Sequence, residues 1–233
     1  MKKIVPRGAF FRADPGDLMA FHKTTPEALG RAEEFYHFTE EAPCSFSFCT
    51  ELDATALYDF AKDSGMKFFP VFLHCLSAEV NARREFRMSE NKAGELGWYD
   101  TVNPCYTVFH EADKKFSDVW TEYDGDLRVF YERYSEDARR YGGESTKPSK
   151  PYEGENLFNV SCIPWASFTG FSLELPKSTR FFSPIFTVGK YFRREGRLYL
   201  PFAAQVHHAV CDGWHVAMLV NALQARMDGL AVK

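Results

Sequence analysis

Gln205-Val206-His207-His208-Ala209-Val210-Cys211-Asp212-Gly213-Trp214 closes an apolar run that begins at Leu198. The run from Leu198 to Val206 is rich in aliphatic and aromatic residues and reads as a buried strand, and a helical pattern starts near Gly213. The decapeptide is therefore a strand-to-helix corner. Gly213 suits such a corner, where a side chain is expected to obstruct the turn. Adjacent strand side chains point to opposite faces, so one histidine of the pair faces a given pocket while the other packs behind it. A neutral imidazole takes a proton from an alcohol near pH 7 when its tautomer is fixed, and Asp212 is placed to fix the local architecture. Three rival readings stay open on these residues alone. The pair is structural, or His-His-Asp binds zinc or iron, or Cys211 is a nucleophile. Against metal, adjacent strand histidines diverge and no third ligand stands at a convincing spacing; Cys211 is more simply a packed thiol.

Outward from this corner, Phe158 to Ile163, Phe168 to Leu175 and Ile185 to Phe192 read as further strands. Phe86-Arg87-Met88, Leu96 to Tyr99 and Tyr106 to Phe109 read as a meander between turn residues. Asp53 caps a three-turn helix that stops at Gly65, and Pro70 opens a buried second helix carrying Val71, Leu73, Leu76 and Val80. His74 and Cys75 fall within that helix and read as packing residues. Ser117 reads as the cap of a long amphipathic segment running to Tyr141, and Gly142-Gly143 and Pro148 to Pro151 break the chain into a loop. Residues 1 to about 30 lack a firm period and read as an arm or a short helix. The sum is an α/β fold, a mixed sheet with helices packed on it.

The chain has 233 residues, 45% hydrophobic and 16% aromatic, which suits one domain over 1–233 with a sizeable core. Its formal net charge is -4 and its Lys and Arg are scattered, which argues against nucleic acid or an anionic membrane as partner. Six cysteines, at 44, 49, 75, 105, 162 and 211, form no Cys-x-x-Cys pair and read as buried free thiols. No apolar run of signal-peptide or membrane-span length occurs, so a reducing cytoplasm is expected. With 23 Phe residues, some are expected to line a pocket.

His207-His208-Ala209-Val210-Cys211-Asp212-Gly213 resembles the signature of chloramphenicol acetyltransferases. Lys67-Phe68-Phe69-Pro70, Glu85-Phe86-Arg87-Met88, Pro104 to His110, Asn159-Val160-Ser161, Pro164-Trp165 and Phe186 to Tyr191 follow in that family's order and spacing. The resemblance runs from Arg31 to the C-terminal helix, and the chain is identified as a member of the type A family. The resemblance implies a two-layer α/β sandwich that forms a homotrimer with active sites between subunits. It implies acetyl-CoA as co-substrate, no permanently bound cofactor or metal, and antibiotic resistance as the outcome. His208 would be the general base, Ser161 the donor to a tetrahedral oxyanion, and Thr187 the holder of an ordered water. Asp212 and Arg31 would form an architectural ion pair. The acceptor pocket would take Phe38, Phe116, Phe171, Leu173 and Ile185, and coenzyme A would contact Trp165 and Tyr191. Two departures concern the acceptor end: a long extension precedes Arg31, and Pro148 stands where a pocket Phe is expected. The alternatives are the same transfer to another hydroxylated small molecule, or a non-catalytic binder of an aromatic ligand.

Overall fold

The structure, a computed structural model, describes residues 20–143, 149–173, 175 and 180–232. In chain order the elements are β1 (Phe21–Lys23), α1 (Ala32–Tyr36), β2 (Ser45–Asp53), α2 (Thr55–Asp63), α3 (Phe68–Asn81), β3 (Met88–Glu90), β4 (Leu96–Tyr99), β5 (Asn103–His110), β6 (Lys115–Trp120), α4 (Leu127–Tyr141), β7 (Leu157–Ile163), β8 (Ile185–Gly189), β9 (Phe192–Arg194), β10 (Arg197–His207) and α5 (Gly213–Asp228). The large sheet runs β2-β10-β8-β7-β5-β6, with β9 paired to β10, and a small sheet runs β1-β4-β3. β7 pairs in parallel with both β5 and β8, whereas β10 is antiparallel to β2 and β8, so the sheet is mixed.

The pleat of β10 sorts its residues. Leu198, Leu200, Phe202, Ala204 and Val206 join the hydrophobic core, and Ala203, Gln205 and His207 fall on the opposite face. Phe186 and Val188 of β8 and Phe158 and Val160 of β7 continue the core face, which leaves Ile185, Thr187 and Ser161 on the second, open face. Helices α2 to α5 pack on the core face and on one another, giving the two-layer α/β sandwich. α3 is the centre of the helical layer: every residue from Pro70 to Val80 is buried. Fully burying a Leu, Val or Phe side chain contributes roughly 1.5–3 kcal/mol, so this helix is a main source of fold stability.

Several sequence expectations shift. Ser117 lies inside β6, where it alternates with Val119 and both are fully buried, so a period of two wins over helical spacing. The helix that follows is α4, and its cap is Asp126, whose carboxylate accepts from the N–H groups of Arg128 (2.7 Å) and Val129 (3.3 Å). Phe86 and Arg87 form a 3-10 turn, Arg84–Arg87, that buries Phe86, rather than a strand. α3 begins two residues before Pro70, and Asp53 precedes α2 by one residue more than a cap yet still accepts from Thr55 N–H at 3.0 Å. The apolar run after Ile185 breaks at Gly189, because Lys190 N–H leaves the ladder for Ala166 O at 2.8 Å. Of the expected strand Phe168 to Leu175, the described residues 168–173 and 175 form no strand, and Phe171 and Leu173 lie on the open face as part of a strap. Only Cys75 and Cys211 are buried; the other four cysteines are half-exposed, and none forms a disulfide. Of the expected N-terminal arm, residues 20–30 hold β1; residues 1–19 and Pro148 lie outside the described residues.

Candidate active site

β10 ends at His207, and the chain turns at once. His207 O accepts from the N–H groups of Val210 (3.2 Å) and Cys211 (3.1 Å), while His208 N–H donates to Cys44 O at 2.9 Å across the sheet edge. Asp212 N–H donates to His215 Nδ1 at 3.0 Å and opens α5. Gly213 has nothing within 4 Å of where a Cβ would stand, so the expected steric demand for glycine at this corner is not met.

Arg31 fixes the turn from outside. Its guanidinium grips Asp212 with two bonds, Nη1 to Oδ2 at 2.6 Å and Nη2 to Oδ1 at 2.9 Å, and reaches the carbonyls of His208 and Ala209, each at 3.4 Å. The bidentate fork is geometrically specific as well as strong. The hydrogen bond from Arg31 holds the Asp212 carboxyl below its usual pKa, and the same bond raises that of Arg31.

The two histidines have different surroundings. His207 is buried, its Nδ1 accepts Ala209 N–H at 3.2 Å, its ring meets the Phe182 ring at 5.0 Å, and burial lowers its pKa, which keeps it neutral. His208 keeps 31% of its side chain exposed. Its ring lies flat on Phe38, with centroids 3.9 Å apart and planes 4° from parallel, and Phe46 tilts against it at 5.1 Å. Nδ1 of His208 is 3.3 Å from Asp212 Oδ1 but is not aligned for a hydrogen bond and has no other partner among the described residues. Nε2 makes no hydrogen bond within the described residues, so it is available to a hydroxyl. Cys211 is buried and burial pushes its thiol up, which removes the thiolate a nucleophile needs.

The remaining expected residues lie along the sheet. Ser161 and Thr187 are direct neighbours across the parallel pair β7 and β8, Ser161 half-buried and Thr187 buried. At the C-terminal ends of these strands stand Trp165, 52% exposed, and Tyr191, 44% exposed. Tyr191 meets Tyr58 (6.0 Å) and Phe68 (5.8 Å), while Trp165 meets Phe109 (4.5 Å) and Phe116 (6.0 Å). The five acceptor positions therefore separate within one chain. Phe38 is with His208; Phe171, Leu173 and Ile185 are on the middle of the open face; Phe116 is beside Trp165.

A sequence model described as chloramphenicol acetyltransferase matches residues 19–224. The chain belongs to the chloramphenicol acetyltransferase family. A chloramphenicol acetyltransferase of Clostridium perfringens is 43% identical over 206 residues, covering 88% of this chain and 98% of that one. One from Proteus mirabilis is 44% identical over 199 residues, 85% of this chain and 91% of its own. Among solved structures, a chloramphenicol acetyltransferase aligns with TM-score 0.78 at 24% identity over 89% of this chain and all of the other. The dihydrolipoamide acetyltransferase of Azotobacter vinelandii aligns at TM-score 0.63 and 18% identity over 97% of each chain, a likeness of fold.

In this member of the chloramphenicol acetyltransferase family, strand register sets the distance between His208 and Ser161. Ser161 is level with Thr187, and Thr187 with Ala203, which is five residues before His208 on β10 and two strands from Ser161. At about 3.4 Å per residue and 4.8 Å per strand the separation is about 20 Å. No hydroxyl touches both residues in one chain. Sequence reasoning missed Cys44 O and Phe46, which help to hold His208: a carbonyl carries no residue signal, and Phe46 is one of many aromatics on strands. Among the described residues no helix is long and apolar enough to cross a membrane, and no group of His, Cys, Asp or Glu gathers at metal-binding distances.

Proposed function

We propose that the chain transfers the acetyl group of acetyl-CoA to a primary hydroxyl of chloramphenicol, and so confers resistance, with His208 as general base. The observation that carries this reading is the held imidazole. Its backbone is pinned by Cys44 and Arg31, its ring is clamped flat by Phe38, and Nε2 has no hydrogen-bond partner among the described residues. Nε2 takes the proton of the acceptor hydroxyl as its oxygen attacks the thioester carbonyl carbon. The imidazolium that forms lies 3.3 Å from the Asp212 carboxylate, which the hydrogen bond from Arg31 keeps ionised. Ser161 Oγ–H donates to the tetrahedral oxyanion, a contact of a kind worth about 10²–10³ in rate. Thr187, beside it, holds an ordered water. Collapse breaks the carbon–sulfur bond, and the departing thiolate takes the proton back from His208.

The separation of about 20 Å between His208 and Ser161 supports a site built by two copies, the base from one and the oxyanion donor from the other. The copies form a homotrimer, each chain acting as one domain. Phe38, Phe116, Phe171, Leu173 and Ile185 then gather around the antibiotic only in the assembly. Trp165 and Tyr191, exposed at the far strand ends, contact coenzyme A. Its six free cysteines suit the reducing cytoplasm.

The test is thiol release from acetyl-CoA by purified protein, with and without chloramphenicol, for wild type and His208→Ala. Turnover that requires the antibiotic and falls about 10²–10⁴-fold or more in the variant is the expected result. A wild type silent with chloramphenicol would falsify the acceptor, and a His208→Ala enzyme of full activity would remove the base.

A further inference from the structure

Gln205 stands three residues before His208 on the open face of β10, level with Ser47 on β2 and Ile185 on β8, and is 6% exposed. Its Oε1 accepts two hydrogen bonds, from Leu173 N–H at 2.7 Å and from Ser47 Oγ–H at 3.3 Å. Its Nε2 is buried with no acceptor among the described residues. A buried amide N–H without an acceptor is unfavourable, so something must hold the side chain in this orientation. Leu173 does. Turning the amide over would set its NH2 against the Leu173 N–H, two donors face to face.

The strap that carries Leu173 has little else to hold it. Among the described residues the backbone of Phe171 hydrogen-bonds only to sulfur, its N–H donating to Cys49 Sγ at 3.3 Å and its carbonyl accepting from the same thiol at 3.5 Å. Sulfur is a weak partner in both directions. Ala166 O anchors the start of the strap on Lys190. Beyond Phe171 the 2.7 Å bond to Gln205 is the strap's one strong attachment to the sheet among the described residues. Leu173 itself is 42% exposed, its backbone fixed and its side chain left uncovered.

We infer that Gln205 is a positioning residue for the acceptor pocket: its carbonyl pegs the strap to β10 and so sets where Phe171 and Leu173 stand against the bound alcohol. This rests on the proposed acyl transfer to chloramphenicol. Gln205 touches neither the thioester nor the reacting atoms.

The test separates the two substrates. Gln205→Leu removes the peg and should raise KM for chloramphenicol about tenfold, while kcat and KM for acetyl-CoA stay within about twofold. Gln205→Glu keeps an oxygen for Leu173 N–H and should bring KM for chloramphenicol back to within about threefold of wild type. An unchanged KM for chloramphenicol in Gln205→Leu, or an equal rise in both KM values, overturns the inference. Hydrogen exchange of the Leu173 amide is the second readout: slow in wild type and fast in Gln205→Leu is expected. Exchange in wild type at the rate of an exposed loop overturns it, even where Gln205→Leu does not fold. If wild-type protein turns over nothing with chloramphenicol, the functional reading fails, and the exchange rate still decides whether the peg exists.

Discussion

The two ends of the large sheet are finished in opposite ways. At the His208 end a turn is tied by a bidentate ion pair, a cross-sheet hydrogen bond and a stacked ring. At the other end Trp165 and Tyr191 stand about half exposed, packed against other aromatic rings. Under the proposed acetyl transfer the difference follows from what each end would handle. A group that moves a proton gains from being set before substrate arrives, since reorganisation then adds nothing to the barrier. A surface that receives a long flexible thioester gains from exposed flat rings, which offer contact area at low side-chain entropy cost.

The sharpest way to break this comparison is to ask whether the two ends of one chain ever work together. His208→Ala and Ser161→Ala should each lose about 10²-fold or more in turnover as pure proteins. Assemblies formed from a mixture should regain activity, because a copy with an intact His208 meets one with an intact Ser161. Mixed assemblies as dead as their parents would put the whole site in one chain. Next, Arg31→Ala should lower kcat about 10–100-fold, the worth of a charge-assisted hydrogen bond, with KM for acetyl-CoA little changed. A larger change in KM for acetyl-CoA than in kcat would mean that the ion pair serves the wrong end.

Phe38→Leu, which keeps bulk but loses the stacked face, should cost up to about tenfold in kcat, since a stacked ring pair contributes about 0.5–1.5 kcal/mol. Tyr191→Ala, at the opposite end, should raise KM for acetyl-CoA by only about two- to fivefold and leave kcat unchanged; a fall in kcat with KM constant counts against its role. The smallest effect is on stability. The folded pKa of Asp212 is depressed by Arg31, so its contribution is present above the unfolded carboxyl pKa of about 3.9 and is lost as pH falls through the lower folded value. The difference in melting temperature between wild type and Asp212→Asn should be constant above about pH 5 and shrink below about pH 4. A gap that widens on acidification would show the sign to be wrong.

The sheet's core was legible because β10, β8 and β7 are apolar runs bounded by turn residues, and α3 carries a long buried pattern behind Pro70. Ser117 misled because a small hydroxyl before an apolar segment reads equally as a helix cap or an inward strand residue, and only the alternation with Val119 decides. Phe168 to Leu175 misled because apolar composition does not tell a strand from a strap lying on a sheet. At the site, the corner at His207 to Gly213 was readable, and so was the opposite placement of two adjacent histidines, one buried and one part-exposed. The pairing of Arg31 with Asp212 came only from the family resemblance, since 181 residues separate the two. Phe38, 170 residues before the ring it covers, is legible by no local pattern.

Phe38 stands in a π-helical turn, His37–Glu41, that continues α1 and is closed by Ala42 N–H on His37 O at 2.8 Å. A π turn holds one residue more than the α-helical turn it replaces, and each residue of an α-helix advances the side chain by about 100°. Removing one residue between Arg31 and Phe38 would relax the turn and swing the Phe38 ring off the imidazole, although the ring itself survived. This segment therefore keeps count before it keeps identity: substitutions along it should be absorbed singly, and a one-codon deletion should not.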